Sequence, residues 1–561
     1  MQKIWKIAPA NPVLQARLAE ALKLHPLLSQ VLSNRGINTI AAAEDFLKAD
    51  ISCLHDPFDL EDMERVVERI KKAARKKEKV LICSDFDVDG VTSCAVVKLL
   101  MQKFGIDAIT YIPHRVNEGY GISTKAIKLA KEKKVSLFIS LDCGITDYEE
   151  LKAIKEAGID AVVIDHHKPI KDTLPPAYGI INPKKSSCAY PFEDLASVGL
   201  AYKLAQALCD EGFKEHLDLV ALGTVADVMS LRGENRILVK EGLKEINATK
   251  RIGLKALIDA CGLQKKKIMP GFISYALGPR INASGRIDSA EKALSLLLSS
   301  DFEEAKKLAT DLNSYNRQRQ KIQTDMFNQA LNLVEREVNF KEHFVIVLSQ
   351  KDWHLGVLGI VASKIADRFY RPTIIISVDD KQVGKGSARS IEQFHIFDAI
   401  SQCSDTLLGF GGHKYAAGIS VQEKRIDAFR SAINKIAREA LSQEELFPAL
   451  KIDAQVPLQM LSLDIAYAID DLAPFGIGNP HPVFCSRNLM VKSEPTIVGR
   501  DTIKFWVTDG KRTTQVVGFG MGETFDMIRH AENIDIAYAV SIDSWHAEPQ
   551  IQLELKDVRV A

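Results

Sequence analysis

The sequence lacks several features that mark particular classes of protein. Its 73 basic residues are balanced by 73 acidic ones, which argues against a uniformly positive surface and leaves any nucleic-acid binding to local clefts. Its nine cysteines are scattered and form no Cys-x-x-Cys pair, a pattern that fits reduced thiols better than a disulfide framework or a zinc ribbon. No apolar run approaches the roughly 18 residues of a membrane span, and the first residues lack a signal-peptide core. We therefore expect a cytoplasmic protein with no membrane partner.

The length and the hydrophobic content predict several domains. A chain of 561 residues, 46% of them hydrophobic, exceeds what one core usually supports. We expect a helical segment over 1–48, a large α/β domain over 49–260, a helical linker over 261–340, a smaller α/β domain over 341–445 and a barrel-like domain over 446–561. Each segment has its own hydrophobic pattern.

These patterns predict the fold class of each segment. Short β-rich runs such as "VLICSD" (80–85) and "AVVIDHH" (161–167) alternate with amphipathic stretches, the rhythm of βα units around a mainly parallel sheet. From Ser197 to about Arg336 the chain reads as almost entirely helical, and its end predicts a long helix that bridges two domains. A second α/β rhythm starts at "HFVIVLSQ" (343–350). Beyond residue 451 alternating strands suit a small barrel, of which the OB-fold is one candidate.

Acidic and imidazole side chains follow the predicted strands. These residues are Asp85, Asp87, Asp89, Asp142, Asp165, His166 and His167, to which Asp227 adds a carboxylate within an apolar stretch. Parallel sheets gather ligands at the carboxyl ends of their strands, so we expect these groups to converge on one rim. Carboxylates packed together repel one another unless a cation neutralises them. An oxygen-rich set with one or two imidazoles favours Mg²⁺ or Mn²⁺ over zinc, and it is large enough for two ions that share a carboxylate.

Each cluster also has a simpler interpretation. The first could be a turn rich in Asp and Gly, and the Asp165–His167 run could be a capping carboxylate followed by two surface imidazoles. Asp227 would be costly to bury on an apolar helix without a partner. Because all the simpler interpretations would have to hold together, the metal site is the better prediction.

Several motifs, in this order along the chain, carry a resemblance to a known family. They are "DFDVDG" (85–90), "DCG" (142–144), "DHH" (165–167), "GTVAD" (223–227) and "GGHKYAAG" (411–418). They resemble the DHH phosphoesterases and their associated C-terminal domain. More narrowly, four other motifs are similar to those of the RecJ exonucleases, which act on single-stranded DNA: "GPRINASGRID" (278–288), "LNSYNRQRQ" (312–320), "HLGVLGIVASK" (354–364) and "FGIGNP" (475–480). The resemblance implies an α/β DHH domain, a helical linker, a smaller α/β domain and an OB-like β-barrel.

The resemblance implies a set of ligands for two divalent cations, Mn²⁺ or Mg²⁺. Asp142 would bridge the ions and Asp87 would bind the first, completed by Asp85. The second ion would lie among three further ligands: Asp89, His166 and Asp227. Relatives place a His where this chain has Cys83, so the first ion has one imidazole fewer here.

The resemblance also implies roles in hydrolysis and substrate binding. Water held by the two ions would attack phosphorus in line with the leaving oxygen. His167 and His413 would contact the phosphate oxygens or protonate the leaving group, or His167 would instead buttress a metal ligand. The substrate contacts would be Arg115, Ser387 and Arg389 at a terminal 5′-phosphate, Gly412 and His413 in a Gly-rich turn, Arg280 along the strand and Tyr120 stacked on a base. Ordinary surface pairing is the alternative for the arginines.

Three function classes stay open at this point. The first is a 5′-to-3′ exonuclease that degrades single-stranded DNA to 5′-mononucleotides in recombination and repair, with a helicase and a single-strand-binding protein as partners and as a monomer. The second is an enzyme for short or cyclic nucleotides, and the third is a strand-binding relative without activity. In the barrel, Phe505, Trp506 and Trp545 are either stacking surfaces or core residues. The intact acid set and the extra C-terminal domain favour the exonuclease.

Overall fold

The computed structural model describes residues 3–115, 117–170, 173–209, 213–543 and 548–561. Within these ranges, no helix combines the length and the hydropathy that crossing a bilayer requires. Trp545 lies outside the described residues. The described residues form four sheets, and three of these sheets belong to separate hydrophobic cores.

The N-terminal segment is helical after one short strand. Its elements are β1 (Ile4–Ile7), α1 (Pro12–Leu22), α2 (Pro26–Asn34) and α3 (Ile40–Lys48). Asn11 and Thr39 cap α1 and α3, because their side chains accept hydrogen bonds from the first-turn N–H groups. The apolar faces of these helices do not form a core of their own. Leu18, Val31 and Phe46 pack into the same core as the C-terminal domain.

The first α/β domain contains the predicted parallel sheet. Its elements are α4 (Met63–Lys76), β2 (Val80–Ser84), α5 (Val88–Lys103), β3 (Ile109–Tyr111), α6 (Thr124–Glu132), β4 (Leu137–Leu141), α7 (Tyr148–Glu156), β5 (Asp160–Ile164) and β6 (Gly179–Ile181). The strand order is β3-β2-β4-β5-β6 and every pairing is parallel. The chain leaves β2 toward β3 on one side and returns to β4 on the other. The crevice between the carboxyl ends of β2 and β4 is therefore the switch point at which such sheets bind ligands.

A layer of helices covers the other side of α5. These helices are α8 (Ser197–Leu208), α9 (Leu217–Ala226), α10 (Gly233–Asn247), α11 (Ile252–Ala260), α12 (Pro270–Phe272), α13 (Gly278–Ile287) and α14 (Glu291–Leu298). With the sheet on one side and α8 and α9 on the other, α5 is buried almost all round, which explains why apolar residues occur on all of its faces. The expected helical region is confirmed, but these helices complete the core of the first domain.

One long helix connects the two α/β domains. It is α15 (Phe302–Glu337), which runs for 36 residues without Pro or Gly. Ala305 and Leu312 pack into the core of the first domain, whereas Met326 and Val334 pack against the second. The bridge predicted from the sequence is therefore this single helix.

The second α/β domain has a mixed sheet. Its elements are β7 (Ile346–Lys351), α16 (Leu358–Phe369), β8 (Thr373–Val378), β9 (Val383–Arg389), α17 (Ile396–Ser401), β10 (Gly409–His413), β11 (Ala416–Gln422) and α18 (Ile426–Ala440). The strand order is β10-β11-β9-β8-β7, in which only the β7–β8 pair is parallel. The prediction of a smaller α/β domain is confirmed.

The C-terminal domain is rich in strands, as predicted. Its elements are β12 (Ala449–Ile452), β13 (Ala454–Gln455), α19 (Leu463–Asp470), β14 (Phe484–Val491), β15 (Thr496–Val498), β16 (Thr502–Thr508), β17 (Thr513–Phe519), α20 (Phe525–His530), β18 (Asn533–Asp543) and β19 (Gln550–Val560). An additional β14–β16 pairing closes the seven-stranded sheet on itself, as in a barrel. Phe505 is buried in its core, whereas Trp506 is 39% exposed. Of these two aromatic residues, only Trp506 can stack on a base.

Candidate active site at the carboxyl edge of the first sheet

The turn between β2 and α5 positions three carboxylates. Asp87 is the N-cap of α5, and its side chain accepts a hydrogen bond from Gly90 N at 3.1 Å. Asp85 precedes this turn, and Asp89 lies in the first turn of the helix. A Cβ at Gly90 would collide with the carbonyl oxygen of Asp85, so glycine allows the helix to start this close to the strand. The alternating spacing in the sequence therefore marks a strand-to-helix turn.

Asp142 follows β4, directly beside this turn. Its φ is +60°, a left-handed conformation that a non-glycine residue adopts only when its surroundings hold it there. Its backbone N–H donates to the carbonyl of Ile164 at 3.0 Å, which anchors the strained residue to β5. The side chain is 2% exposed. The fold thus holds this carboxylate at the centre of the crevice.

The Asp165–His167 run follows β5. Asp165 accepts hydrogen bonds from Ile145 N at 3.0 Å and His167 N at 3.0 Å, and its Oδ1 lies 2.8 Å from His167 Nδ1. Burial alone would raise the pKa of Asp165, but the hydrogen bond with His167 holds it below its ordinary value. Burial would lower the pKa of His167, but this hydrogen bond and the charges of Asp165, Asp227 and Asp85 together raise it to about 9. Asp165 is therefore a partner that orients His167.

His166 lies among carboxylates from three segments of the chain. Its Nε2 is 3.3 Å from Asp142 Oδ1, 3.6 Å from Asp227 Oδ2 and 3.9 Å from Asp89 Oδ2. Burial, and then the neighbouring His167, lowers the pKa of His166 to about 3. The imidazole is therefore neutral at physiological pH, the form that binds metal ions.

Two groups of side chains have the geometry of a cation site. Asp85, Asp87 and Asp142 form one, and Asp89, His166 and Asp227 form the other; in each, the ligand atoms lie within 4.8 Å of one another. Asp142 also groups with His166 and His167. It is thus close to both sites, where a shared carboxylate would have to lie.

The electrostatics of the cluster fit two bound cations. Burial and the neighbouring carboxylates raise the pKa of Asp85 and Asp142, and they raise that of Asp89 to about 7 and that of Asp227 to about 8. The Oδ1 atoms of Asp85 and Asp142 are buried and accept no hydrogen bond from the described residues. So much negative charge in a buried place requires neutralisation by protons or by cations. An oxygen-rich set with one neutral imidazole fits Mn²⁺ or Mg²⁺.

The structure adds a feature that sequence reasoning missed. The N-terminus of α8 points at Asp89: Ser197 N donates to Oδ2 at 2.7 Å and Val198 N donates to Oδ1 at 2.8 Å. The first N–H groups of a helix have no partner within the helix, and a carboxylate at this end is stabilised by the helix dipole. The onset of a helix at Ser197 was visible in the sequence, but its target was not.

Cys83 lies apart from the acidic cluster. It is buried on β2 within the core beneath α6 and α7. Its hydrogen bond with Cys143, followed by burial, raises the pKa of the Cys143 thiol. The carboxylate group of Asp85, Asp87 and Asp142 forms without a thiol ligand.

A cationic cleft lies beside the acidic cluster, between the two α/β domains. It has a volume of about 680 Å³, and Arg115, Ser387 and Arg389 line it as expected. Arg389 Nη1 donates to Ser387 Oγ at 3.1 Å. A Cβ on Gly359 of α16 would lie 2.6 Å from Arg389 Nη2, so glycine makes room for the guanidinium. The guanidinium of Arg115 lies over the Phe86 ring at 4.7 Å, next to the first carboxylates.

Arg286 is a second residue that sequence reasoning missed. It lines the same cleft, and its Nη1 donates to the carbonyl of Gly356 at 2.7 Å. Burial, and then the charge of Arg115, lowers the pKa of Arg286 to about 9. The signal was present in "GPRINASGRID", in which only Arg280 was selected. Arg280 donates instead to Asn313 Oδ1 at 3.0 Å, at the contact between α13 and α15, and does not line the cleft.

Three other predicted substrate residues lie near the crevice. Tyr120 is 51% exposed, and its hydroxyl donates to the carbonyl of Asp142 at 3.1 Å and lies 3.2 Å from His167 Nδ1. Gly412 has a φ of +153°, and a Cβ there would collide with the backbone of Ala416. His413 follows in the same hairpin, and burial, then the charge of His167, lowers its pKa. The charge of His167 therefore acts on His413.

Comparisons with known proteins agree with this architecture. Family models match residues 79–224 as the DHH family, N-terminal domain, residues 342–439 as the DHHA1 domain and residues 452–557 as the RecJ OB domain. The chain is 37% identical to the Bacillus subtilis protein named "Single-stranded-DNA-specific exonuclease RecJ", over 99% of this chain and 71% of that relative. It is 32% identical to the Escherichia coli protein of the same name, over 96% of each.

Solved structures show the same fold. The crystal structure of Thermus thermophilus RecJ in complex with Mn²⁺ superposes with a TM-score of 0.85 at 27% identity, over 99% of this chain and 79% of that one. The complex of RecJ from the same organism with Mg²⁺ gives a TM-score of 0.79 at 25% identity, over 99% and 78%. Since these relatives align along nearly its whole length, the chain belongs to the RecJ family.

Proposed function

We propose that the protein is a 5′-to-3′ exonuclease that degrades single-stranded DNA to 5′-mononucleotides, in recombination and repair. The observation that carries the proposal is the juxtaposition of two uncompensated clusters: buried carboxylates that fit two cations, and buried arginines that fit phosphate. A hydrolase for phosphodiesters needs both. The names of the relatives, which specify an exonuclease for single-stranded DNA, support the same substrate.

The carboxylate cluster would hold the two cations. Asp85, Asp87 and Asp142 would bind one, and Asp89, His166 and Asp227 the other, with Asp142 shared. Cations bound there would neutralise the phosphate charge and lower the pKa of the attacking water.

The protein's own groups orient this chemistry and supply a proton. The N–H groups of Ser197 and Val198 fix both oxygens of Asp89. The carboxylate of Asp165 keeps the Nδ1 proton on His167 and leaves the opposite ring nitrogen free to face the crevice. With its pKa raised to about 9, His167 is protonated at neutral pH and can donate a proton to the departing 3′-oxygen. His413, whose pKa the charge of His167 helps to lower, would contact a non-bridging oxygen.

The cationic cleft would set the direction of attack. Arg115, Ser387 and Arg389 would hold a terminal 5′-phosphate, for which an arginine fork is well suited. With the 5′ end fixed, the next phosphodiester would reach the carboxylates. Gly412 would allow the hairpin to approach the backbone closely, Tyr120 would stack on a base and Arg280 would lie along the strand.

The surrounding regions would serve the same substrate. We propose the boundaries 1–48, 49–260, 261–340, 341–445 and 446–561, with the OB-like domain binding the strand and Trp506 as a stacking surface. The protein would act as a monomer in the cytoplasm. Since it needs an unpaired strand, a helicase and a single-strand-binding protein are the expected partners.

Digestion of one labelled strand tests the proposal. The full-length protein is incubated with Mn²⁺ and a long single strand that carries a 5′-phosphate and a label on its first nucleotide, and a parallel sample contains EDTA. We expect labelled mononucleotide from the start of the reaction, and none with EDTA. A further sample contains a dinucleotide in place of the strand, and its cleavage while the long strand stays intact would indicate an enzyme for short substrates. An intact strand that shifts in a gel would indicate a binding protein.

A further inference from the structure

The cationic cleft extends well beyond the residues expected at a terminal phosphate. Lys385, Ser387 and Arg389 occupy alternate positions of β9 and therefore point to the same face. At about 3.3 Å per residue, the three side chains cover about 13 Å of the strand. All three line the cleft. A single phosphate contacts only one end of such a row.

The row leads away from the acidic cluster. Arg389 lies against Gly359 at the start of α16, and the nearby carbonyl of Gly356 accepts a hydrogen bond from Arg286 at 2.7 Å. Gly285, the residue before Arg286, lies against Phe86 in the turn that carries Asp85 and Asp87. Arg389 is paired with Ala416 of β11. Lys385 is paired with Ser420, four residues further along β11. The end at Arg389 is thus the one near the carboxylates, and the end at Lys385 is the distal one. A phosphate chain attached to the 5′ end would extend from Arg389 toward Lys385.

The charge of the cleft exceeds that of one phosphate. Five cationic side chains line it: Arg115, Arg286, Lys364, Lys385 and Arg389. Glu118 is the one acidic residue of this lining, and it already accepts a hydrogen bond from the Tyr111 hydroxyl at 2.6 Å and pairs with Lys125 at 3.5 Å. Within the described ranges, no carboxylate is in ion-pair contact with any of the five cations. Burial lowers the pKa of Arg115 and of Arg286, and the charge of nearby carboxylates, Asp85 and Asp87 at Arg115 and Asp87 at Arg286, offsets only part of this effect. A terminal monophosphate brings a charge of only about −2.

The volume of the cleft and the backbone N–H groups at the start of α16 also favour a ligand larger than one phosphate. The cleft, at about 680 Å³, has the volume of a pocket for a whole small molecule, for which about 300–1,000 Å³ is usual. The first turn of α16 also faces it through Leu358, Gly359 and Ile360, and no side chain caps this helix. The unpaired N–H groups of a helix start are donors for phosphate oxygens.

We propose that the cleft accommodates a 5′-di- or triphosphate, so that strands with a 5′-triphosphate are substrates and release a nucleoside triphosphate first. This inference rests on the proposed exonuclease function. Water forms a new bond to the first internucleotide phosphorus, the bond from that phosphorus to the 3′-oxygen breaks, and the 3′-oxygen takes up a proton. The anhydride bonds of the triphosphate stay intact. The shortened strand then begins with an ordinary 5′-phosphate.

Three versions of one DNA strand test the inference. They carry a 5′-hydroxyl, a 5′-monophosphate or a 5′-triphosphate, and each has a label in the base of the first nucleotide. With the full-length protein and Mn²⁺, we expect the triphosphate strand to be degraded at least as fast as the monophosphate strand, with labelled nucleoside triphosphate as the first product. Degradation of the monophosphate strand alone would overturn the inference and leave the exonuclease function standing. If neither strand is degraded, both proposals fall together. Release of pyrophosphate before cleavage would also overturn the inference.

Lys385→Ala identifies the distal part of the cleft. The exposed lysine would contact the outer phosphates only. Its loss should therefore slow degradation of the triphosphate strand by about threefold to fivefold and leave degradation of the monophosphate strand unchanged. Lys381→Ala is the matched control, because Lys381 is exposed in the turn before β9 and does not line the cleft. Equal effects of Lys385→Ala on both strands would contradict the proposed direction of the phosphate chain.

Discussion

The two walls of the central crevice carry opposite charges that the protein itself does not balance. On the wall formed by the first sheet, buried carboxylates have pKa values raised by burial and by one another. On the wall that includes β9 and α16, burial lowers the pKa values of Arg115, Arg286 and Arg389. Burial of like charges is unfavourable on either wall. Each wall therefore needs a ligand of the opposite sign.

The difference between the walls lies in how each arrangement is held. The acidic wall is fixed by backbone geometry: a helix cap, a strained φ at Asp142 and the start of α8 at Asp89. The cationic wall is made of long side chains on β9, on the helices α13 and α16 and on the loop after β3, with glycine at the point of closest approach. We therefore expect changes at the acidic wall to abolish turnover, and changes at the cationic wall to alter substrate selection.

The largest expected effect is that of Asp142→Ala on turnover. Loss of a residue that merely orients a metal ligand costs about 10- to 100-fold in activity. Because Asp142 is close to both cation sites, removing its carboxylate should lower the hydrolysis rate by more than about 100-fold. Binding of single-stranded DNA should persist. Hydrolysis rates and gel-shift affinities, measured on the same preparation, test this prediction.

Asp107→Ala is the matched control for this variant. Asp107 is almost fully exposed and pairs with Lys98 at the surface of the same domain. The Asp107→Ala variant should retain full activity. Near-normal turnover of Asp142→Ala would show that Asp142 is not a carboxylate shared by two cations. It would also contradict the expectation that changes at the acidic wall abolish turnover.

Arg389→Ala should change selection more than catalysis. The guanidinium would donate charged hydrogen bonds to a 5′-phosphate, each worth about 1.5–3 kcal/mol. We expect the preference for a 5′-phosphate over a 5′-hydroxyl to fall by about 10- to 100-fold, with little change on the hydroxyl strand. The ratio of kcat/KM for the two strands measures it. Arg368→Ala, on α16 but outside the cleft lining, should leave the ratio unchanged. Equal losses of kcat/KM on both strands would contradict the proposal that Arg389 binds the 5′-phosphate.

Ser197→Pro tests the backbone support of Asp89. Proline is accepted at the first position of a helix, but it removes the N–H that donates to Asp89 Oδ2. We expect Mn²⁺ affinity to weaken by about 10-fold with the fold intact. Ser197→Ala keeps the N–H and should bind Mn²⁺ like the parent protein. Calorimetric titration with Mn²⁺ compares the two variants. Identical Mn²⁺ affinities would show that the start of α8 does not support cation binding by Asp89.

A smaller effect is the pH dependence of metal-free stability. The pKa values of Asp89 and Asp227, about 7 and about 8, lie above their unfolded values near 3.9. The folded protein therefore holds protons that the unfolded chain releases. The lowered pKa of His166 acts in the opposite direction below about pH 6.5, so the free energy of unfolding should fall chiefly as pH rises from about 6.5 to about 8. His167, raised to about 9, acts in the same direction above about pH 6.5.

Added Mn²⁺ should reverse this loss. Cations compete with protons for the carboxylates, so the gain in Tm with Mn²⁺ should be larger at about pH 8 than at about pH 6. Thermal unfolding with Mn²⁺ or with EDTA measures this gain. In the double variant Asp89→Asn/Asp227→Asn, the gain in Tm with Mn²⁺ should differ less between the two pH values. A gain that does not depend on pH would show that the acidic wall binds no cation through these carboxylates.

Much of the fold follows from patterns in the sequence. The buried strands of the first sheet are nearly continuous apolar runs, and their polar ends had to meet because all the strands are parallel. That is why Asp89, Asp142 and His166 could be grouped from the sequence. The long helix α15 was visible through the absence of Pro and Gly over its length.

Other features depend on packing between distant segments. The partner of Asp89 lies 108 residues away, and no local pattern indicates where the start of α8 points. The N-terminal helices have apolar faces, but only the structure shows that the C-terminal domain covers them. Arg280 and Arg286 are alike in sequence context, yet packing directs one toward α15 and the other into the cleft.

Anomalous scattering from crystals of the protein grown with Mn²⁺ is the most direct test of the acidic wall. We predict two Mn²⁺ ions about 3.5–4 Å apart, one beside Asp85 and Asp87 and the other beside Asp89, His166 and Asp227, with the carboxylate of Asp142 touching both. A single ion, or ions bound elsewhere with Asp142 unligated, would contradict the account.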